Sequence, residues 1–259
     1  MLTGATLAQA GIDGVALKPT EVDLSRADRL DVEMVTIDYE GQRHVPDGET
    51  LADLAADRTV RVTAPVRADG FDPRGDDDIL AGLPDAVSRV LVAGNPAYLS
   101  DAERKRAIAP RLRAAADAAA DPWIGTEGIE RLALAVGGTQ FELLSRTTTR
   151  DVESLRAAGF DGDVAVYAPT VLTDDENEIL DAVGAYVARR RPVATTLPDD
   201  AATDRTASGR ARTVLLQAVG DYALVGSPGT VADRVDRLRE AGADAVVAYP
   251  ARGLGPLLG

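Results

Sequence analysis

Ser227-Pro228-Gly229-Thr230-Val231-Ala232-Asp233-Arg234-Val235-Asp236-Arg237-Leu238-Arg239-Glu240-Ala241-Gly242-Ala243-Asp244-Ala245-Val246-Val247-Ala248-Tyr249-Pro250, entered from Leu224-Val225-Gly226, spells out one helix, one tight joint and one strand. The Ser227 hydroxyl is placed to accept a backbone N–H that the first helical turn leaves unpaired, and Pro228 brings the fixed φ that suits that turn. Val231, Val235 and Leu238 repeat at helical spacing, and Gly242 stops the helix before an apolar strand. The same Ala-Gly-x-Asp joint recurs at Ala10-Gly11-Ile12-Asp13 and Ala158-Gly159-Phe160-Asp161, each time leading into a strand that ends at proline, Pro19 or Pro169. A joint used three times between a helix and a buried strand predicts a repeated βα construction, hence a barrel.

Length agrees with that reading. A (β/α)₈ TIM barrel takes about 250 residues, and the chain has 259, so one domain over residues 1–259 is expected. The formal net charge of −14 opposes nucleic acid and anionic membrane surfaces by simple repulsion. Lys18 and Lys105 are the only lysines among 28 cationic side chains. An Asp-rich, Lys-poor surface is read as halophilic adaptation, of archaeal type, with an acidic interaction surface as the alternative. The absence of cysteine excludes disulfides, thiolate metal sites and a cysteine nucleophile, and a single histidine, His44, excludes a multi-histidine metal site. No stretch reaches the roughly 18 apolar residues of a membrane span, and no signal-like segment opens the chain, so a cytoplasmic protein is expected.

Eight strands can be placed in order: Gly14 to Lys18, Val32 to Ile37, Val60 to Ala64, Arg89 to Ala93, Pro122 to Gly125, Gln140 to Leu144, Val164 to Ala168 and Ala245 to Tyr249. The continuous apolar character of the first strand predicts its burial on both faces. Between them, the pattern predicts helices over residues 4 to 10, Thr50 to Ala56, Ile79 to Val87, Ser100 to Ala120 with a kink at Pro110, Gly128 to Val136 capped by Thr126, Thr149 to Ala158, Asp174 to Arg191 as the longest, and a short one from Val214 to Val219.

Three stretches resemble the luciferase-like superfamily of flavin- or deazaflavin-dependent oxidoreductases: the Gly226 to Val235 segment with its Ala241-Gly242-Ala243-Asp244 joint; Trp123-Ile124-Gly125-Thr126-Glu127-Gly128 and the Ala-rich stretch after it; and Val164 to Pro169 followed by Thr173-Asp174-Asp175-Glu176. They occur in the family's order and cover the C-terminal 60% or so of the chain. In the N-terminal half, Asp72-Pro73 stands where the family often has His-Pro, and Ser88 to Gly94 is similar to its entry into strand four. The resemblance implies a luciferase-like barrel, a deazaflavin (coenzyme F420 type) or FMN cofactor, a small organic substrate and a homodimer.

Such a cofactor carries the hydride chemistry, so the protein needs positioning groups and a phosphate anchor rather than an acid–base dyad. Gly125 and Thr126, where a loop meets a helix start, are the first candidates for that anchor; plain capping by Thr126 is the alternative. Asn95, after strand four, offers an amide to a ring carbonyl, or is a turn residue. Ser145 and Arg146, after strand six, complete the expected cofactor-binding set, with a polar turn as the alternative. Lys18 at the end of strand one admits a Schiff-base reading or a surface ion pair. Glu33, Asp38 and Arg61 lie in or beside strands, where a shift of one residue moves a side chain to the other face. Tyr167 and Thr170, at the end of strand seven and after it, could bind an anion or substrate, with a polar turn as the alternative. No catalytic residue is singled out and no metal site is expected. Two other functions stay open: a non-catalytic luciferase-like barrel, and a phosphate-binding aldolase or isomerase barrel centred on Lys18, Glu33 and Asp38.

Overall fold

A computed structural model describes residues 5–66, 82–93, 101, 105, 107–125 and 135–258. Its strands are β1 Gly14–Leu17, β2 Met34–Ile37, β3 Thr59–Val66, β4 Val87–Ala93, β5 Trp123–Gly125, β6 Thr139–Leu143, β7 Val164–Val171, β8 Leu224–Val225 and β9 Ala245–Pro250. Every pairing is parallel. β1 to β7 run in sequence order, β7 pairs with β9, and β9 pairs back to β1, so eight strands close on themselves. The expected (β/α)₈ TIM barrel is therefore the fold. β8 is a two-residue addition to the far end of β7, pairing Leu224 with Thr170.

The alternation along each strand explains the apolar runs. Val15, Leu17, Val35, Ile37, Val62, Leu91, Ile124, Val166 and Val246 face outward and join Leu7, Leu51, Leu112, Val235 and Leu238 of the helices in one buried layer. The opposite parity points into the lumen, where Ala16, Val90, Trp123, Phe141, Ala165 and Val247 pack together. Both faces are covered, and buried polar side chains are few, among them Thr36, Arg61, Thr63 and Thr139 with the lumen parity, Gln140 and Glu142 with the other.

The repeated joint has a specific task at the N-terminal end of the barrel. Gly11, Gly159 and Gly242 each take a left-handed φ, at 69°, 85° and 111°, which ends the preceding helix without a Cβ penalty. Asp244 then clasps the first residue of β7: its N–H donates to the Val164 carbonyl (2.8 Å) and its carboxylate accepts the Val164 N–H (2.7 Å). Asp13 does the same to β9, with bonds of 3.0 and 2.7 Å to Val246. An arginine from the preceding helix locks each clasp, Arg156 onto Gly242 and Asp244, Arg239 onto Gly11 and Asp13. The middle copy differs, because Gly162 and Asp163 intervene between Asp161 and β7, and Asp161 is exposed.

Several expected boundaries move. Pro110 starts a helix, Ala109–Ala118, instead of kinking one, since its missing N–H costs nothing in a first turn. The expected short helix at Val214–Val219 is Gly209–Tyr222, the longest described: Leu215, Ala218, Val219 and Tyr222 bury one face, which outweighs the weak propensity of Gly209 and Gly220. The expected long helix from Asp174 starts at Glu176, capped by Asp175, which accepts from Asn177 and Glu178. It carries a π segment at Leu180–Gly184, resumes as Ala185–Ala188 and stops. Gly184 is required there, because a Cβ would sit 2.0 Å from the Thr203 carbonyl oxygen. Ser227 caps Pro228–Glu240 as expected, accepting from the Thr230 N–H. The expected helix at Ile79 to Val87 is not one over its described part: residues 82–86 form a turn around Pro84, which lacks the N–H a helix interior needs, and Val87 opens β4. Most of the expected helix at Gly128 to Val136, and the N-cap at Ser100, lie outside the described residues.

Candidate functional site

The C-terminal ends of the strands converge on a cavity of about 280 Å³. Its position follows from the parity of the lumen-facing residues. Lys18 and Asp38 follow β1 and β2 directly, while Thr63, Val92, Gly125, Phe141, Leu143 and Tyr167 take inward positions on β3 to β7. Tyr186 and Arg190, from the helical segment after β7, cover one side.

On one side the cavity is lined by Phe141 and Tyr167, and Trp123 and Tyr249 extend these rings beyond its lining. Trp123, Phe141, Tyr167 and Tyr249 form a continuous arc across β5, β6, β7 and β9, with ring centroids 5.4, 5.6 and 6.3 Å apart in turn and tilted planes. These spacings fall within the 4.5–7 Å range of favourable aromatic contacts. Gly125 sits at the top of β5, where the absent side chain keeps the cavity open; a Cβ there would meet only ordinary contacts, the nearest at 3.5 Å.

The facing wall is polar. Thr63 Oγ1 accepts the Tyr39 N–H at 2.6 Å, fixing the chain just beyond β2. Lys18 Nζ lies 3.3 Å from Glu21 Oε1 and 4.6 Å from the centre of the Tyr249 ring, so the ion-pair reading of Lys18 and a place at the mouth both hold. The Tyr249 hydroxyl donates to Glu21, and burial together with that carboxylate pushes its pKa up. Asp38 is half-buried by area but enclosed by protein around its carboxyl. Desolvation pushes its pKa to about 6, against the opposing pull of Lys18 and with added repulsion from Glu40 and Glu21.

Arg190 closes the rim. Its guanidinium bonds to the Tyr186 hydroxyl and lies 4.3 and 5.6 Å from the Tyr186 and Tyr222 rings, whereas its buried Nε meets no acceptor among the described residues. It also lines a side cleft of about 180 Å³ with Glu142, Ser145, Thr147 and Asp151.

Of the expected cofactor-binding residues, Gly125 lies in the main cavity and Ser145 in the side cleft. The Ser145 hydroxyl is held by the Thr147 N–H at 3.2 Å, and its own N–H by Thr148 Oγ1 at 2.8 Å. Arg146 is exposed and borders neither space, and Asn95 and Thr126 lie outside the described residues. Glu33 is exposed at the opposite end of the barrel, Arg61 is buried in the lumen, and Thr170 donates to the Ala168 carbonyl. Thr63, Phe141, Leu143, Tyr186 and Arg190 were not anticipated as site residues. Inward parity on β3 and β6 points to the first three, while no sequence signal marks Arg190 among three consecutive arginines. Among the described residues no group of His, Asp or Glu is arranged to hold a metal, and no helix is long and apolar enough to cross a membrane.

An apolar aromatic wall opposite a polar wall with one titratable carboxyl suits a flat, partly polar molecule bound edge-in. Similar folds occur in solved structures of redox enzymes. The coenzyme F420 dependent tetrahydromethanopterin reductase from Methanopyrus kandleri aligns over 93% of both chains with a TM-score of 0.59 and 15% identity. An F420-dependent secondary alcohol dehydrogenase aligns over 95% of this chain and 97% of its own, with a TM-score of 0.58 and 11% identity. The monooxygenase RslO1 from Streptomyces bottropensis gives 92% and 91%, 0.52 and 17%. At these identities the likeness is one of fold. No curated protein matches the sequence significantly. The sequence does match one family model, over residues 7–257, and the chain accordingly belongs to the family of unknown function DUF7388.

Proposed function

We propose that the chain is an oxidoreductase that seats the ring of a deazaflavin or flavin cofactor in the mouth cavity and acts there on a small organic substrate. The observation that carries this is the aromatic arc facing Lys18, Asp38 and Thr63 at the C-terminal end of the barrel. Barrels of this architecture place their active sites at that end. The fold likeness to two F420-dependent enzymes and a monooxygenase adds support.

The residues present fit such a group. Small-molecule sites occupy roughly 300–1,000 Å³, and the cavity, at about 280 Å³, is sized for a ring system rather than a whole nucleotide. The orphaned Nε of Arg190 offers a buried donor at its edge. The side cleft with Ser145 is the outlet for a phosphorylated tail, although Glu142 and Asp151 there disfavour an anion; Asn95 and Thr126 remain proposed anchors. When bound, the cofactor supplies hydride transfer. The protein's own part is to exclude water with Phe141, Tyr167 and Tyr249 and to exchange a proton at the Asp38 carboxyl around pH 6.

The test is calorimetric titration of the purified chain with FMN and with the deazaflavin coenzyme, repeated on Gly125→Leu. The reading expects micromolar binding of one of the two, lost when the leucine fills the cavity. Binding of neither sinks it and leaves a barrel that retains the scaffold without the redox site.

A further inference from the structure

One layer beneath the mouth cavity, the lumen contains charge that nothing described there balances. Thr36 on β2 and Arg61 on β3 are register partners on adjacent strands and share the inward parity of Asp38 and Thr63, two residues further along. Both are buried, at 0% and 6% exposure. Arg61 lays one face of its guanidinium 4.1 Å from the centre of the Trp123 ring, and its N–H groups point along the guanidinium plane. One of them, on Nη2, reaches Asp121 Oδ2 at a long 3.4 Å. Asp121 has 77% of its side chain in solvent, which screens its charge.

The remaining donors are the point. Arg61 Nε, Arg61 Nη1 and Thr36 Oγ1 are all buried and meet no partner among the described residues. Of the described residues that lead directly into β3, β4 and β5 (55–58, 82–86 and 107–122), none but Asp121 offers these side chains an acceptor. Asp38, one layer up, does not compensate: its titration answers to burial, Lys18, Glu40 and Glu21, and that of Arg61 to burial and Asp121. Burial alone pulls the Arg61 guanidinium below its usual pKa. A buried cation whose donors lack acceptors is among the costliest arrangements in a protein interior.

We infer that Arg61 and Thr36 form a binding site for a small inorganic monoanion, a halide such as chloride, inside the barrel. Thr36 donates its hydroxyl and Arg61 its Nε and Nη1 protons to one spherical acceptor, which supplies the missing negative charge. Size follows from the fold: the lumen of an eight-stranded barrel is filled by side chains, and only an ion comparable to a water molecule fits between them. This site is separate from the proposed ring site and stands or falls without it.

The experiment measures thermal unfolding in potassium chloride and in potassium gluconate at matched ionic strength, for the wild type, Arg61→Met and Thr36→Val, together with a bromide-soaked crystal. A ligand that binds the folded state alone raises the melting temperature by mass action. The wild type should therefore melt higher in chloride, with a response that saturates. Thr36→Val, which removes one donor and keeps the shape, should lose much of that difference, and Arg61→Met all of it. Anomalous bromide density should lie between the two side chains. Identical melting in the two salts, a chloride response unchanged in Thr36→Val, or the absence of bromide at that position would each overturn the assignment. If Arg61→Met does not fold, Thr36→Val and the bromide map decide alone.

Discussion

Replacing Asp38 with asparagine should stabilise the protein, and only where the carboxyl is ionised. Burial raises the Asp38 pKa from 3.8 to about 6 in the folded chain, while the unfolded chain returns it to the ordinary range. The folded state thus holds this proton more tightly, so between about pH 4 and pH 6 the unfolding free energy falls as pH rises. Below that window both states are protonated and the penalty is absent; above it the penalty is complete. At about 1.36 kcal/mol per pH unit the difference amounts to roughly 3 kcal/mol. Asparagine keeps the shape and cannot ionise. Urea unfolding of wild type and Asp38→Asn across about pH 3.5 to 8 should then show curves that coincide in acid and separate by up to roughly 3 kcal/mol above pH 7. Because desolvation is the leading cause, the gap should survive molar salt, which weakens only the contributions of Lys18, Glu40 and Glu21. A separation independent of pH, or an asparagine variant less stable than wild type near pH 8, would refute the reasoning.

Three further outcomes are expected. Asp244→Ala strips the acceptor from the Val164 N–H and from Arg156, and should cost about 1–3 kcal/mol; Asp161→Ala, at the exposed copy of the joint, should stay within about 0.5 kcal/mol by the same urea assay. Gly184→Ala drives a Cβ into the Thr203 carbonyl and should destabilise by about 1–3 kcal/mol, read as a drop in melting temperature of roughly 2–4 °C per kcal/mol. Gly125→Ala adds a methyl group where the nearest atom would be 3.5 Å away, so its melting temperature should match wild type within about 2 °C while any ligand of the mouth binds more weakly.

The barrel was legible because its repeat is chemical as well as periodic. An Ala-Gly-x-Asp joint reports a left-handed glycine and a carboxylate clasp, and both depend on residues close together in sequence. What those clasps require at the other end, Arg156 and Arg239, lies on the helix just before and repeats as Leu-Arg-x-Ala-Gly, yet has no meaning until the neighbouring strand is in place. Helix ends were less legible. The Gly209–Tyr222 helix begins in a polar stretch, and its extent is set by the burial of Leu215 and Tyr222 against the π-containing segment, a tertiary effect. The site divides in the same way. Gly125 sits at a strand end and could be placed at the mouth from the sequence, Asp38 needed the strand register to fix its side, and Arg190 reaches the mouth only because the helix before it runs Glu176–Ile179, Leu180–Gly184 and Ala185–Ala188 and then stops. Ser145 was placed beside strand six, and the wide rim puts it in the side cleft next to Arg190.

The aromatic arc gives the protein a built-in optical probe. Trp123 is the lone tryptophan, it is 5% exposed, and it begins a chain of rings that ends at the mouth. All indole emission therefore originates in the lumen, between Arg61 below and the cavity above. Any yellow cofactor seated against Phe141 and Tyr167 would lie within a few ring diameters of that single donor, and its absorption would drain the emission by resonance transfer. Binding at the mouth can accordingly be watched in the unmodified protein, without a label and without knowing the substrate.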